Sequence, residues 1–128
     1  MMIPKFRAWD KILKKMNDVT AIDFSTKPFR VFYSAYGEDN YFNQDAILMQ
    51  STGMSDINGV EIFEGDIVKP VSFANWIGVV KYSSENAAYI LDDHDNEFRR
   101  GENVYLSQFN EGLEVKGNIY ENPELMEV

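Results

Sequence analysis

The sequence predicts a mainly β fold, arranged as a small antiparallel barrel or sandwich. Short runs alternate apolar and polar residues at strand spacing, turn signals separate these runs at short intervals, and helical patterns are scarce. The chain has 128 residues, shows no internal repeat or flexible linker, and contains enough apolar and aromatic residues for a core. We therefore expect a single domain over residues 1–128.

Five runs are predicted to be strands. In FRVFYSAY (29–36), Phe29, Val31, Tyr33 and Ala35 share one face and the residues between them share the other. The other predicted strands are DAILMQ (45–50), WIGVVKY (76–82), AAYIL (87–91) and LEVKGNIY (113–120). Gly78, inside the run 76–82, indicates a bulge or a close approach of two backbones.

Turns and helices are predicted from shorter signals. Asn58-Gly59 predicts a tight turn with two consecutive positive-φ residues, and the polar clusters 83–86 and 92–96 predict hairpin tips. A turn or two of helix is expected in DKILKKM (10–16). Ser107 is expected to cap a second short helix that ends at Gly112.

The stretch GVEIFEGDIVKP (59–70) predicts a sharp turn into a strand. Gly65 can take a positive φ, and the Asp66 carboxylate can accept hydrogen bonds from nearby backbone amides. Ile67 and Val68 then begin the strand, and Pro70 ends its hydrogen-bonded ladder. This pattern is typical of SH3-like barrels, in which the chain bends sharply into the first barrel strand.

The full architectural prediction is an SH3-like small antiparallel barrel with an N-terminal β extension and at most short helices. The extension covers residues 1–49, the barrel residues 50–120, and a docked tail residues 121–128.

Charge and composition limit the classes of function. The formal net charge of −9 opposes general binding to nucleic acid, and no apolar run is long enough for a signal peptide or a membrane span. Cysteine is absent, which excludes disulfides, thiolate-held metals and thiol nucleophiles and fits a cytoplasmic location. Residues 1–30 carry seven basic and three acidic side chains, a net of +4, so the remainder carries −13.

Two acidic clusters are candidates for chemistry. The run DDHDNE (92–97) contains the only histidine, His94, but a calcium loop started at Asp93 would have Phe98 at its glycine position and Val104 at its glutamate position. A solvated hairpin tip explains this run better than a cation site does. The second cluster consists of Glu61, Glu64 and Asp66, and no feature of the sequence indicates that these three are buried.

Motifs for nucleophilic triads and phosphate-binding glycine loops are absent from the sequence. We therefore assign no catalytic, cofactor-binding or metal-binding residues and expect no enzymatic activity and no cofactor. The aromatic residues could form a stacking platform for bases, but core packing is the better explanation because positive charges are sparse after residue 30.

Four segments in fixed order carry a family resemblance: IPKFRAWDKILKKM, LMQSTGMSDINGVEIFEGDIVKP, GVVKY and GNIYENPEL. Together they resemble the YopX-like proteins of bacteriophages and prophages of Gram-positive bacteria. The resemblance implies a mainly β fold with an SH3-like barrel and a bacterial cytoplasm as the working location. It implies no catalytic or binding residues. The positions that match the family motif are Gly53, Gly59, Gly65, Asp66, Gly117, Asn118, Tyr120, Asn122 and Pro123.

These observations favour a non-enzymatic phage or prophage accessory protein that binds an unknown protein partner or assembles with itself. The uneven charge makes head-to-tail contacts between copies conceivable. One alternative is a nucleic-acid-binding barrel that uses Lys11, Lys14 and Lys15. Another is an acidic mimic of DNA that occupies a basic groove of a host protein.

Overall fold

Eleven β-strands and two short 3-10 helices make up the described part of the chain, which confirms the mainly β prediction and the prediction of only short helices. The structure is a computed structural model that describes residues 5–35, 37–42, 45–72, 76–92, 104–109 and 111–126. The strands are β1 (Phe6–Asp10), β2 (Lys15–Asp23), β3 (Arg30–Ala35), β4 (Glu38–Phe42), β5 (Ile47–Ser55), β6 (Glu61–Phe63), β7 (Asp66–Pro70), β8 (Gly78–Ser83), β9 (Ala88–Asp92), β10 (Val104–Tyr105) and β11 (Leu113–Asn118). The 3-10 helices are Leu106–Gln108 and Pro123–Met126.

The chain forms two compact units, Met1–Ser51 and Thr52–Val128. In the first unit the strands lie in the order β4-β3-β2-β1-β5, and β1–β2, β1–β5, β2–β3 and β3–β4 all pair antiparallel. Its core contains the buried Ala8, Val31 and Tyr33. Val31 and Tyr33 lie on the same, buried face of β3, as predicted for the run 29–36, because a strand places every second side chain on the same face.

The predicted helix at residues 10–16 is wrong, because these residues form the turn of the β1–β2 hairpin. Asp10 accepts hydrogen bonds from the backbone N–H groups of Ile12 and Leu13, a pattern that also begins many helices. Lys14 then takes a φ of 53°, which reverses the chain into β2. Here the same hydrogen-bond pattern closes a hairpin turn and starts no helix.

In the second unit β7, β8, β9 and β10 are successive neighbours, and β11 returns to pair with β7. The C-terminal part of β5 neighbours β6. The core consists of aliphatic side chains from six elements: Ile62, Val68, Val80, Leu91, Leu106 and Leu113. The strands predicted at 76–82, 87–91 and 113–120 are all present as β8, β9 and β11, and the one predicted at 45–50 lies in β5.

Gly78 marks a close approach of two strands, as its position in the run 76–82 predicted. A Cβ atom at Gly78 would lie 3.2 Å from the Cβ of Leu91 and 3.5 Å from the Trp76 ring. A side chain at this position would therefore press on Leu91, and glycine permits the close approach of β8 and β9 without that contact.

The predicted SH3-like barrel is not confirmed. Within the described ranges, the strands form two antiparallel sheets with no closed barrel, and the sheet of the second unit runs from β10 at one edge to β11 at the other.

The second predicted helix is shorter than expected. It is a single 3-10 turn, Leu106–Gln108, so Ser107 lies inside it and does not cap it. Instead, the Gln108 side-chain oxygen accepts a hydrogen bond from the backbone N–H of Tyr105. No helix in the described residues has the length and apolar character needed to cross a membrane.

The turns predicted at residues 83–86 and at Asn58-Gly59, which lie within the described residues, are confirmed in position. Residues 84–87 connect β8 to β9, and Ser83 Oγ accepts a hydrogen bond from the Asn86 side-chain amide. At Asn58-Gly59 a tight turn is present, but only Gly59 has a positive φ, at 81°. The turn therefore differs from the predicted type with two positive-φ residues.

Candidate functional site

The turn in GVEIFEGDIVKP has the predicted geometry. Gly65 has a φ of 85°, and the Asp66 carboxylate accepts a hydrogen bond of 2.8 Å from the backbone N–H of Phe63. Asp66 is only 2% exposed, although its sequence neighbourhood gave no sign of burial. The carboxylate therefore helps to close the turn between β6 and β7.

Replacing Asp66 by Ala should lower the free energy of unfolding by about 1–2 kcal/mol, because the part-buried N–H of Phe63 loses its charge-assisted acceptor. Urea denaturation of the wild type and the variant measures this loss. Glu64→Ala is the matched control, since Glu64 is a half-buried carboxylate on the same turn. Equal stability of wild type and Asp66→Ala would contradict the assigned role.

The other two acids of this cluster differ from Asp66. Glu61 and Glu64 are half-buried, and Glu64 lies close enough to Tyr89 to affect its ionisation. Burial, the charge of Glu64 and the neighbouring Tyr82 together raise the pKa of the Tyr89 hydroxyl. The cluster thus places one acid in a structural bond and one beside an aromatic residue.

Asp10 anchors the β1–β2 turn in the same manner, a role that its sequence neighbourhood does not indicate. Its side chain is fully buried, and its Oδ1 accepts hydrogen bonds of 2.9 Å from the N–H groups of Ile12 and Leu13. Its Oδ2 accepts a hydrogen bond of 2.7 Å from the hydroxyl of Tyr33, which is also fully buried. A single carboxylate thus connects the turn to the core of the first unit.

This turn exposes apolar and basic side chains together. We name residues 11–15 the cationic tip; its members are Lys11, Ile12, Leu13, Lys14 and Lys15. All five are exposed, and Ile12 has 70% of its surface accessible. Within the described ranges the three lysines form no ion pair. The tip therefore presents two aliphatic groups among three ammonium groups on a backbone that is hydrogen-bonded to Asp10.

Asp56 anchors the connection between β5 and β6. Its Oδ1 accepts hydrogen bonds from the backbone N–H groups of Asn58 (2.8 Å) and Val60 (2.9 Å), and its Oδ2 accepts one from Val115 (3.0 Å). We name residues 56–60 the apolar tip. In this tip the side chains of Ile57 and Val60 are about half exposed to solvent. A buried carboxylate again holds a turn that presents apolar side chains to solvent.

Burial raises the pKa of Asp56, but hydrogen bonds from Val115, Val60 and Asn58 outweigh that effect and hold it below the ordinary value of 3.8. A lowered folded-state pKa means that the carboxylate stabilises the fold above that value. The contribution is lost as the pH falls from 3.8 through the folded-state pKa.

Asp56→Asn should therefore destabilise the protein at about pH 7, and the difference from wild type should shrink at about pH 3. Urea denaturation at both pH values measures the two differences. A difference that stays constant or grows at the lower pH would refute this assignment.

The C-terminal turn, residues 118–126, is fixed by two asparagines. Asn118 Oδ1 accepts hydrogen bonds from the N–H groups of Tyr120 and Glu121, and Asn122 Oδ1 accepts one from the N–H of Asn118. A Cβ atom at Gly117 would overlap the Asn122 side chain, so the turn requires glycine there. Glu121, Glu124 and Leu125 are exposed on this turn.

The run 92–97 can be assessed only at Asp92, because residues 93–103, including His94, lie outside the described residues. Asp92 forms an ion pair with Lys81 at 2.6 Å. Among the residues that the structure describes, no group of three or more histidine, aspartate or glutamate side chains is placed to hold a metal ion.

Several aromatic side chains lie outside the cores. Phe24 and Phe29 pack at the β2–β3 connection with ring centroids 5.6 Å apart, and both are exposed. Phe32 and Phe42 form a second pair at 5.7 Å, and the Arg30 guanidinium lies 5.5 Å from the Phe42 centroid. Core packing, the better explanation from sequence, therefore accounts for Tyr33 but not for Phe24 and Phe29.

The two units differ strongly in charge. Residues 1–51 contain seven basic and six acidic side chains, a net of +1, whereas residues 52–128 contain five basic and fifteen acidic side chains, a net of −10. The net negative charge of the chain therefore arises entirely in the second unit.

Comparison with known proteins identifies similar chains. The profile of the family described as YopX protein matches residues 5–127. Among solved structures, the chain is similar to the crystal structure of protein EF1440 from Enterococcus faecalis, with 32% sequence identity and a TM-score of 0.66. The similarity covers 99% of this chain and 100% of that one. No curated protein matches the chain.

Proposed function

The chain belongs to the YopX protein family, and we propose from this premise that it is a non-enzymatic accessory protein that binds other protein chains. One observation carries the proposal. Two hairpin turns are locked from inside by buried aspartates, Asp10 and Asp56, while their tips hold aliphatic side chains in solvent.

The energetics of binding favour such turns as contact points. Exposed aliphatic groups such as Ile12 and Ile57 gain roughly 25 cal/mol for each Å² of apolar surface that a partner covers. Because the backbone of each tip is already hydrogen-bonded to its aspartate, binding orders little additional chain and costs less conformational entropy. The surfaces are therefore suited to recognition of another protein.

The origin and cellular location of the protein are also part of the proposal. The resemblance to YopX-like proteins and the absence of cysteine support a phage or prophage protein that works in the bacterial cytoplasm. The proposal also includes a finer fold assignment for the second unit. A meander of four strands, a 3-10 turn and a last strand that returns beside the first support an SH3-like arrangement of β7 to β11.

The binding proposal is tested by capture from bacterial cells that express tagged forms of the chain. Proteins recovered with the wild type should be lost with the double variant Ile12→Ser and Ile57→Ser. Val71→Ser is the matched control, because Val71 is also an exposed aliphatic residue but lies on neither tip. Thermal unfolding verifies that all three forms are folded, and identical recovery with every form would refute the proposal.

A second candidate is single-stranded nucleic acid binding, favoured by the exposed Phe24 and Phe29 and by Arg30 on Phe42. Aromatic rings stack on bases at about 1–3 kcal/mol per base. If this candidate is correct, Phe24→Ala should weaken the binding of a labelled oligonucleotide, and added salt should weaken it further. The absence of binding at low salt would exclude it.

A further inference from the structure

We propose that the cationic tip of one copy docks on the C-terminal turn of a second copy, so that copies of the chain associate head to tail. This inference rests on the proposed function and names a partner for it. The partner is identified by complementary charge and by complementary apolar groups.

The donor surface is the cationic tip. Its three lysines form no ion pair in the described part of the chain, and Ile12 is the second most exposed of the large apolar residues described. The Asp10 carboxylate, which could have neutralised a lysine, is instead buried and bonded to Ile12, Leu13 and Tyr33. The tip therefore presents positive charge around an uncovered aliphatic centre.

The acceptor surface has the reverse arrangement. On the C-terminal turn, the exposed Leu125 is flanked in sequence by the exposed carboxylates of Glu121 and Glu124. The hydrogen bonds of Asn118 and Asn122 fix this turn, so its groups are held in place before contact. One aliphatic group among carboxylates matches two aliphatic groups among ammonium groups in both charge and hydrophobicity.

A second copy is the occupant that the charge distribution favours. The acceptor belongs to the unit with a net charge of −10, and the donor belongs to the unit with +1, so every copy carries both partners of the contact. Because the two surfaces are different, the contact is heterologous. Each dimer then still has one cationic tip and one C-terminal turn available for a further copy. Such contacts build rings or longer chains.

Salt concentration decides whether this attraction exceeds the general repulsion between two chains of charge −9. At about 0.1 M salt, interactions beyond about 10 Å are screened, whereas ion pairs in direct contact persist. At about 0.5 M salt the contact pairs also weaken. Association should therefore be detectable near the lower value and reduced near the higher one.

Sedimentation velocity of the purified full chain tests the inference. The wild type should form species larger than the monomer as its concentration rises at about 0.1 M salt. Lys11→Glu and Glu124→Lys should each weaken association by about tenfold, because each places like charges opposite each other. A mixture of these two variants should associate again, since an acidic tip then meets a basic turn and the unchanged tip meets an unchanged turn.

Matched controls separate the contact from the change in net charge. Lys27→Glu and Glu85→Lys alter exposed charges outside both surfaces and change the net charge by the same amounts. Both should associate as the wild type does. Controls that weaken association as much as the two test variants would overturn the inference.

The failure of this inference is distinguishable from failure of the proposed function. A wild type that stays monomeric at every concentration overturns head-to-tail association, and partner capture that depends on Ile12 and Ile57 would then still support a protein-binding role. Binding of the tip to anionic lipid vesicles or to oligonucleotides, without self-association, also overturns it and assigns the tip to a different anionic surface.

Discussion

The Asp10→Ala variant is expected to lose about 3 kcal/mol of the free energy of unfolding, because its carboxylate accepts three hydrogen bonds in a buried position. Water can replace the carboxylate at the backbone amides of Ile12 and Leu13, because both residues are exposed and these two hydrogen bonds are only part-buried. It cannot readily reach the fully buried hydroxyl of Tyr33, which would be left without this acceptor. Urea denaturation with a common m-value measures the loss.

A double-mutant cycle with Tyr33→Phe isolates the bond between the two side chains. Tyr33→Phe alone should lower the free energy of unfolding less than Asp10→Ala does. The Asp10 carboxylate then still accepts its hydrogen bonds from the amides of Ile12 and Leu13. Asp18→Ala is the control, because Asp18 is an exposed aspartate on the neighbouring strand β2. A loss below about 1 kcal/mol for Asp10→Ala would show that water satisfies this turn and its partner.

Deletion of residues 117–128 is expected to lower the melting temperature by about 10 °C or more. The deletion removes the pairing of Gly117 with Ile67 and of Asn118 with Asp66, and also the hydrogen bond from the Ile119 N–H to the Gly65 carbonyl. The turn at Gly65 and Asp66 would then lose the strand that lies beside it. Differential scanning calorimetry of the full and truncated chains measures the shift.

A shorter deletion provides the control for this experiment. A chain that ends at Asn122 keeps the hydrogen bonds among Asn118, Glu121 and Asn122 and loses the mostly exposed segment that follows. It should melt close to the full chain. An unchanged melting temperature in the longer deletion would mean that the C-terminal turn contributes nothing to folding.

Sequence pattern predicted the strands whose apolar residues alternate and missed those whose residues do not. β3 and β8 were found because their buried residues follow the period of a strand or form an apolar run. β2 has no buried residue and mixes polar and apolar side chains throughout. It is a strand because it pairs with β1, and its own sequence does not indicate this. β4 is similarly polar at its start.

The structural aspartates illustrate a second limit. The bond at Asp66 was predicted because its donor lies three residues away. Asp10 and Asp56 were missed because a decisive partner is distant in sequence: Tyr33 is 23 residues from Asp10, and Val115 is 59 residues from Asp56. An aspartate before a turn is normally exposed, and only the folded chain reveals which ones are buried.

In the β1–β2 turn, the residue that stabilises the fold, Asp10, is different from the side chains that are exposed to a partner, those of residues 11–15. Within the described residues, no side chain of residues 11–15 takes part in a hydrogen bond, whereas Asp10 bonds to the backbone amides of Ile12 and Leu13 and to the buried Tyr33. The segment can therefore be exchanged for a foreign peptide of the same length, provided that its fourth residue tolerates a positive φ. The hairpin can in this respect present different peptide segments to a partner while the hydrogen bonds of Asp10 beneath them stay the same.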